Sequence, residues 1–389
     1  MNKSCLIGFL MCSAFSLVVQ AATDGAHITK TISQIERKKG IKRTIQYRPD
    51  GNDFVCVNGK NRYTRALYGG ITDFRIETSD RPVFATYKPK DSKHICFRLQ
   101  CGNQSIALDS LKFCEARYRA GRRTYRLTDP LLGKGELNIS VLAFPDAEGG
   151  IWRFTMKDMP EGALLHCYIS EIRAKNLSRN GDMGADRADS FDAPQLPKEQ
   201  KHYKLSLDGT TAYIVVEDQE LRLPALVEGT SLYDKSEKWR SEIESSLQIS
   251  TPDPYFNPLG GALAAAADGI WDGKIWLHGA IGWRSQLNGW RAAYIGDFIG
   301  WHDRARTHFD SYAASQVTDV PATIPHPTQD TALHLARSVK KWGTPHYSNG
   351  YICRTPYRKD QMHHYDMNLC YIDAVSYTHL RAHETKANL

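Results

Sequence analysis

Among the acidic residues, Asp297 is set apart by its neighbours. Trp290 lies seven positions before it, Tyr294 three before and Trp301 four after, so on a helix its carboxyl shares a face with rings. Rings around a carboxyl disfavour its charged form, the condition that a general acid at neutral pH requires. The competing role is structural, an Asp bonded to Arg291 or Arg304. Just upstream, Trp283-Arg284 and Trp290-Arg291 flank the polar stretch Ser285-Gln286-Leu287-Asn288, a composition suited to stacking on a ligand and hydrogen bonding to it. Four tryptophans between 271 and 290 would serve equally as core packing. His302 and His278 would orient a neighbouring acid or touch substrate, or else be satisfied structural histidines. Near the C-terminus, Met362, Tyr365 and Leu369 form an inward stripe that leaves His363 and Asp366 one turn apart on another face. That pair would bind a cation or a substrate, His363 would orient Asp366, or both would make a helix-helix contact. No third ligand stands at metal spacing, and no zinc motif, phosphate loop or nucleophile elbow occurs, so neither a metal nor a cofactor is expected.

These residues need a scaffold, and the chain offers two kinds. From Asp53 the pattern is β: Phe54–Val57, Asn58-Gly59, then Arg62–Tyr68, which predicts a two-residue hairpin because Asn-Gly tolerates positive φ. Phe74–Thr78 and Val83–Tyr87 flank a turn at Ser79-Asp80-Arg81-Pro82. Leu137, Ile139, Val141 and Ala143 alternate with Asn138, Ser140 and Leu142, and Trp152, Phe154 and Met156 with Arg153, Thr155 and Lys157. Tyr213–Glu217 closes the series. Many short strands without interleaved helices predict an antiparallel β-sandwich over 22–232, with an arm or edge strand near 24–45 and a mobile loop over Asn176–Gln200. Residues 233–256 read as a linker containing a helix over Lys235–Leu247 and ending at Thr251-Pro252-Asp253-Pro254. Helices are then predicted over Leu259–Ile270, capped by Asn257, and over Gly289–Trp301, Asp303–Val317, Thr328–Lys341 and Asp360–Asp373. The fold class is therefore multidomain, β then α.

Bulk properties narrow the setting. Residues 1–21 read as a secretion signal, with an apolar run from Leu6 to Val19 too short to span a bilayer. The expected location is periplasmic or secreted, with no membrane span. The net charge of +7 is scattered and not gathered into basic runs, which argues against nucleic acid as a partner. Two of the nine cysteines, Cys5 and Cys12, fall in the signal. Cys96 with Cys101, or Cys56 with Cys114, would be able to pair, but an odd remainder in a large core favours buried free thiols.

The segments "NRYTRALYGGITDFRIETSDRPVFATY", "TPDPYFNPLGGALAAAADGIWDG", "WLHGAIGWRSQLNGWRAAYIGDFIGWHDRARTHF" and "NGYICRTPYRKDQMHHYDMNLCYID" resemble secreted Bacteroidetes proteins of plant-polysaccharide utilisation systems. Those proteins join an uncharacterised N-terminal β-domain to an α-L-rhamnosidase-like six-hairpin (α/α)6 barrel. The resemblance implies a glycoside hydrolase acting on an oligosaccharide or polysaccharide, with 257–374 as the opening part of the barrel. The loop Ser285–Asn288 resembles the pocket-lining loop of that superfamily, and with glycoside hydrolysis as the chemistry Asp297 and Asp366 are the candidate catalytic carboxyls, with Trp283, Arg284, Trp290, Arg291, His302 and His363 as candidate substrate contacts. The tail "VSYTHLRAHETKANL", 375–389, resembles no part of that family and looks like a translated sequencing adapter, so the chain is expected to be an incomplete, inactive portion of the enzyme. A polysaccharide lyase using His and Tyr, or a non-catalytic glycan-binding protein, are the competing functions.

Overall fold

The computed structural model describes residues 46–88, 91–171, 201–278, 286, 292–316, 318, 329–330, 335–336, 350, 352, 356 and 368–376. Its N-terminal part is an antiparallel β-sandwich. The first sheet runs, in spatial order, β1 (Arg48–Asp50), β2 (Asp53–Val57), β8 (Phe113–Arg119), β9 (Arg122–Thr128), β10 (Glu136–Ala143), β11 (Gly149–Lys157), β14 (Thr211–Glu217) and β15 (Glu220–Arg222). The second runs β13 (Lys201–Ser206), β12 (Leu164–Glu171), β6 (Asp91–Cys101), β5 (Phe84–Lys88), β4 (Arg75–Ser79) and β3 (Tyr63–Tyr68), with β7 (Gln104–Ala107) paired to the far end of β6. The alternation along β10 and β11 is realised in packing. Leu137, Ile139, Val141, Trp152 and Phe154 are buried and meet Ile76, Phe84, Ile95, Phe97 and Leu165 of the facing sheet. The ring of Phe84 meets Phe97, Tyr125 and Trp152 edge-on, at centroid distances of 5.8, 5.6 and 5.6 Å. The described cysteines, Cys56, Cys96, Cys101, Cys114, Cys167 and Cys370, are all free thiols.

The expected hairpin at Asn58-Gly59 is not formed. β2 pairs with β1 and β8, whereas β3 pairs with β4, so the chain crosses there from one sheet to the other. Asn58 does take a positive φ of 49°, but its backbone N–H and its side chain both engage Cys114. The crossover is then held by the β4–β5 turn. The Asp80 carboxylate accepts the N–H groups of Lys60 and Arg62, at 3.2 and 2.8 Å, and Arg81 donates to the carbonyl of Gly59. A Cβ on Gly59 would lie 2.4 Å from Asp80 Cγ, which explains the glycine by close approach.

Helix α1 (Leu226–Ser245) begins nine residues before the expected Lys235 and lies against the outer face of the first sheet. Position 232 therefore falls inside this helix, and no linker separates it from the strands. Its Tyr233 covers Leu142, Ile151 and Val215 and bonds Ser140 Oγ at 2.7 Å. Further along, Glu237 and Glu244 take Arg122 and Arg119 of the β8–β9 hairpin at 2.7 Å each, with Arg240 between the two acids. Helix α2 (Leu259–Asp268) follows, but Asn257 does not cap it. The Asn257 side chain bonds the backbone of Thr251 and closes the Pro-Asp-Pro loop instead.

Helix α3 (Ala292–Phe298) lies within the expected Gly289–Trp301, α4 (His302–Ala313) begins one residue before the expected Asp303–Val317 and ends four residues short of it, and residues 368–376 are helical, overlapping the end of the expected Asp360–Asp373 and running three residues past it. The expected helix over Thr328–Lys341 is contradicted. Its described residues form a small antiparallel pair, β16 (Gln329–Asp330) with β17 (Leu335–Ala336). Helix propensity is a weak local preference that pairing overrides. Among the described residues no helix is long and apolar enough to cross a membrane. The arm at 24–45, the loop Asn176–Gln200 and the signal at 1–21 lie outside the described residues.

Because Trp152 is fully buried where the two sheets meet, Trp152→Ala is expected to lower unfolding free energy by about 3–5 kcal/mol. Val57→Ala, at a side chain 52% exposed, is expected to change it by less than about 0.5 kcal/mol. Urea titration followed by tryptophan fluorescence and circular dichroism measures both, and equal midpoint shifts would contradict this picture of the core.

Candidate functional site

The helical region is organised around Trp276, which is 1% exposed. Asp272 Oδ1 accepts the N–H groups of Lys274 and Ile275, turning the chain so that Trp276 comes back against Trp271, with ring centroids 4.8 Å apart. The Trp276 indole N–H donates to the carbonyl of Ala267 in α2. Its backbone N–H donates to His308 Nδ1 in α4, and α3 lies directly on its ring. A Cβ on Gly296 would stand 2.4 Å from Trp276 Cη2, so only glycine allows α3 this close. One tryptophan thus fixes three helices.

Asp297 lies on α3 beside that contact. Its side chain is 8% exposed, Oδ1 lies 3.4 Å from Nδ1 of the exposed His302, and the buried Oδ2 has no hydrogen-bond partner among the described residues. The pairing of Asp297 with Arg304 weighed from the sequence is not made. Arg304 instead binds Asp268 at 2.7 Å and stacks over Trp301 and Trp271, at 4.4 and 5.6 Å from their centroids. Asp268 ends α2 and is 5% exposed, and burial pushes its carboxyl above the usual range while Arg304 pulls it back. It also lines a 330 Å³ cleft between sandwich and helices, together with Tyr68, Tyr118 and Trp239. Sequence reasoning passed over Asp268, although an acid closing an alanine-rich run, three residues before a tryptophan, was a visible signal.

Trp283, Arg284, Trp290, Arg291, His363 and Asp366 lie outside the described residues, as does the side chain of Tyr294. Of the four tryptophans between 271 and 290, Trp276 is core and Trp271 packs against it. His278 is half-buried at the end of the Trp276–Leu277 segment. Asn368, the last residue of the "QMHHYDMN" motif, is structural, its amide accepting from and donating to the backbone of Ile352 at 2.8 and 3.3 Å. Tyr371 joins this helical segment to α4 through the carbonyl of Phe309, with Ala374 buried and Val375 packed against the same cluster. Among the described residues no group of three His, Cys, Asp or Glu is arranged to hold a metal ion.

Sandwich and site define a two-sheet β-domain carrying a helical segment in which a buried acid faces aromatic and basic side chains. Over residues 89–216, which include β6 to β13 and all but the last residue of β14, the chain is similar to the profile of a family described as a domain of unknown function (DUF4450). A search of the curated proteins finds no match to the chain.

His308 supplies a test of this packing. It is 1% exposed, and burial pushes its imidazole down from 6.5 to about 3. Accepting the Trp276 N–H at Nδ1 leaves the proton on Nε2, which has no partner among the described residues. The folded state therefore holds His308 neutral while an unfolded chain protonates it below 6.5. Its contribution to stability is complete above 6.5 and is lost as pH falls toward 3, by up to about 1.4 kcal/mol per pH unit. His308→Gln, which keeps an acceptor for Trp276, is expected to flatten the pH dependence by that slope between pH ~4 and ~6. Parallel curves for the two proteins, from denaturant titrations across this range, would rule the linkage out.

Proposed function

We propose that this chain carries the β-domain and the first helices of a six-hairpin glycoside hydrolase, exported to act on a complex polysaccharide, with Asp297 as its proton-donating carboxyl. The observation that supports this reading is the state of Asp297. Among the described residues its buried Oδ2 meets no donor, an arrangement that costs about 1–3 kcal/mol where none is supplied. One oxygen faces His302, which is exposed enough to reach a substrate and orients the acid, while the second is left to the reacting group. Glycoside hydrolysis uses such an acid with a second carboxylate across the scissile bond. Asp366 is the proposed partner.

On this reading Trp283, Arg284, Trp290 and Arg291 hold the sugar by stacking and hydrogen bonds, and His363 orients Asp366. Asp268 and Arg304 act on position alone. Their ion pair ties the end of α2 to α4, and Arg304 holds Trp301 at the turn where Asp297 meets His302.

The test is release of reducing ends from plant polysaccharides by the protein produced from its native gene. Asp297→Asn is expected to lower kcat by about 10²–10⁴ with little change in KM. His302→Gln is expected to lower it less and to shift the acidic limb of the pH–rate profile. Unchanged kcat in Asp297→Asn would remove this residue from the chemistry. Products that absorb in the ultraviolet through a new C=C bond would replace hydrolysis by a lyase reaction.

A further inference from the structure

We propose that the outward face of the first sheet, beside α1, is a second binding site, which takes an acidic oligosaccharide through Arg153. The register sets four polar positions side by side across four strands. Arg117 on β8 faces Thr124 on β9, which faces Ser140 on β10, which faces Arg153 on β11. The next row holds Glu115, Arg126, Asn138 and Thr155 in the same order. These rows floor a groove of 360 Å³ walled by Tyr233 of α1. Three steps between strands give it a length of about 14 Å, enough for a short oligosaccharide lying across the strands.

The charges in this groove are not all accounted for by the fold. Arg117 is met by Glu115, Asp50 and Asp53 at 2.8, 2.8 and 3.2 Å, Arg126 by Glu136 at 3.4 Å and Arg122 by Glu237 at 2.7 Å. Arg153 has no carboxylate among the described residues. Its guanidinium lies over the Tyr233 ring, 3.8 Å from the centroid, and its Nε is buried without a hydrogen-bond partner. Stacking sets the plane of the fork, and Tyr233 is itself pinned by Ser140 at 2.7 Å. A half-buried, oriented guanidinium with no counter-ion among the described residues suits a carboxylate, which such a group binds through two parallel N–H donors. Around it Thr124, Thr155 and Asn138 offer small neutral donors and acceptors suited to hydroxyl groups, and neither row carries a large apolar side chain for a peptide to bury. That the groove takes a carboxylate rests on its own geometry. That the carboxylate is borne by a sugar rests on the carbohydrate reading given above.

Calorimetric titration of the purified chain with trigalacturonate, maltotriose, triglutamate and acetate tests both parts without turnover. Trigalacturonate is expected to bind and maltotriose not. Arg153→Gln is expected to weaken trigalacturonate at least about tenfold with near-ultraviolet circular dichroism unchanged. Thr155→Val, which leaves the Arg153–Tyr233 stack in place, is expected to weaken it by a smaller factor and serves should the arginine variant not fold. Equal binding by wild type and folded Arg153→Gln, or no loss in Thr155→Val where the arginine variant does not fold, overturns the site. Binding of maltotriose as tight as that of trigalacturonate overturns the role of the carboxylate, and triglutamate or acetate binding as tightly overturns the sugar. An Asp297→Asn protein without hydrolytic activity that still binds trigalacturonate would leave this site standing, so the two proposals fail separately.

Discussion

The contact on which the molecule turns is the edge-to-face cluster of Phe84 with Phe97, Tyr125 and Trp152. It is the place where the two sheets grip each other. Phe84 and Phe97 come from the second sheet, Tyr125 and Trp152 from the first, and edge-on rings fill the space between sheets about 10 Å apart without leaving gaps. Once β9 and β11 are committed to the interior through Tyr125 and Trp152, the period of two commits Thr124, Arg126, Arg153 and Thr155 to the opposite face. A slip of one residue would bury arginines and expose tryptophan. The outward polar rows are thus a consequence of the aromatic core, and their geometry is as rigid as that core.

The helices inherit their position from the same sheet. Tyr233 and the acids of α1 hold that helix to β8–β11 and β14, and α2 packs against α1 and β3. Trp276 then receives α2, α3 and α4 on one indole and its backbone. Asp297 is therefore placed by a chain of contacts that begins in the sandwich, and no single helix could hold it there alone. This also explains why α1 is not a linker. A mobile connection would leave the acid and its histidine without a fixed relation to the rest.

How much of this was legible depended on whether a signal was local. The alternation along β10 and β11 is written residue by residue, and burial of Leu137, Ile139, Trp152 and Phe154 follows directly. Turn chemistry was less reliable as a guide to pairing. Asn58-Gly59 has the φ its sequence suggests but serves a crossover, because the deciding partners, Asp80 and Cys114, are remote in sequence. Conversely, the tight hairpins β8–β9 and β14–β15 turn on Ala120-Gly121 and Asp218-Gln219, where non-glycine residues accept positive φ because register on both sides demands it. In the site, rings near Asp297 were readable from spacing. The choice of Asp268 as partner of Arg304 was not, since it depends on α2 and α4 meeting across Trp276.

Three buried or half-buried polar groups differ in how many of their hydrogen bonds the fold supplies. Arg123 is fully buried between the sheets, yet its Nη2 donates to the carbonyl of Ser79 and the hydroxyl of Tyr47, and Tyr125 donates to the same carbonyl at 2.6 Å. Its cation joins both sheets to the strand edge, and these bonds offset part of its burial, while its Nη1 finds no partner among the described residues. Arg153 and Asp297 lack that compensation. Among the described residues each is oriented by one contact, with Tyr233 or with His302, and neither has the several donors and acceptors that Arg123 meets. On the two proposals made above, the missing partner arrives from outside, a carboxylate at Arg153 and a reacting group at Asp297. The two sites differ in sign and in scaffold, one a cation on a sheet face and the other an acid at a break between helices.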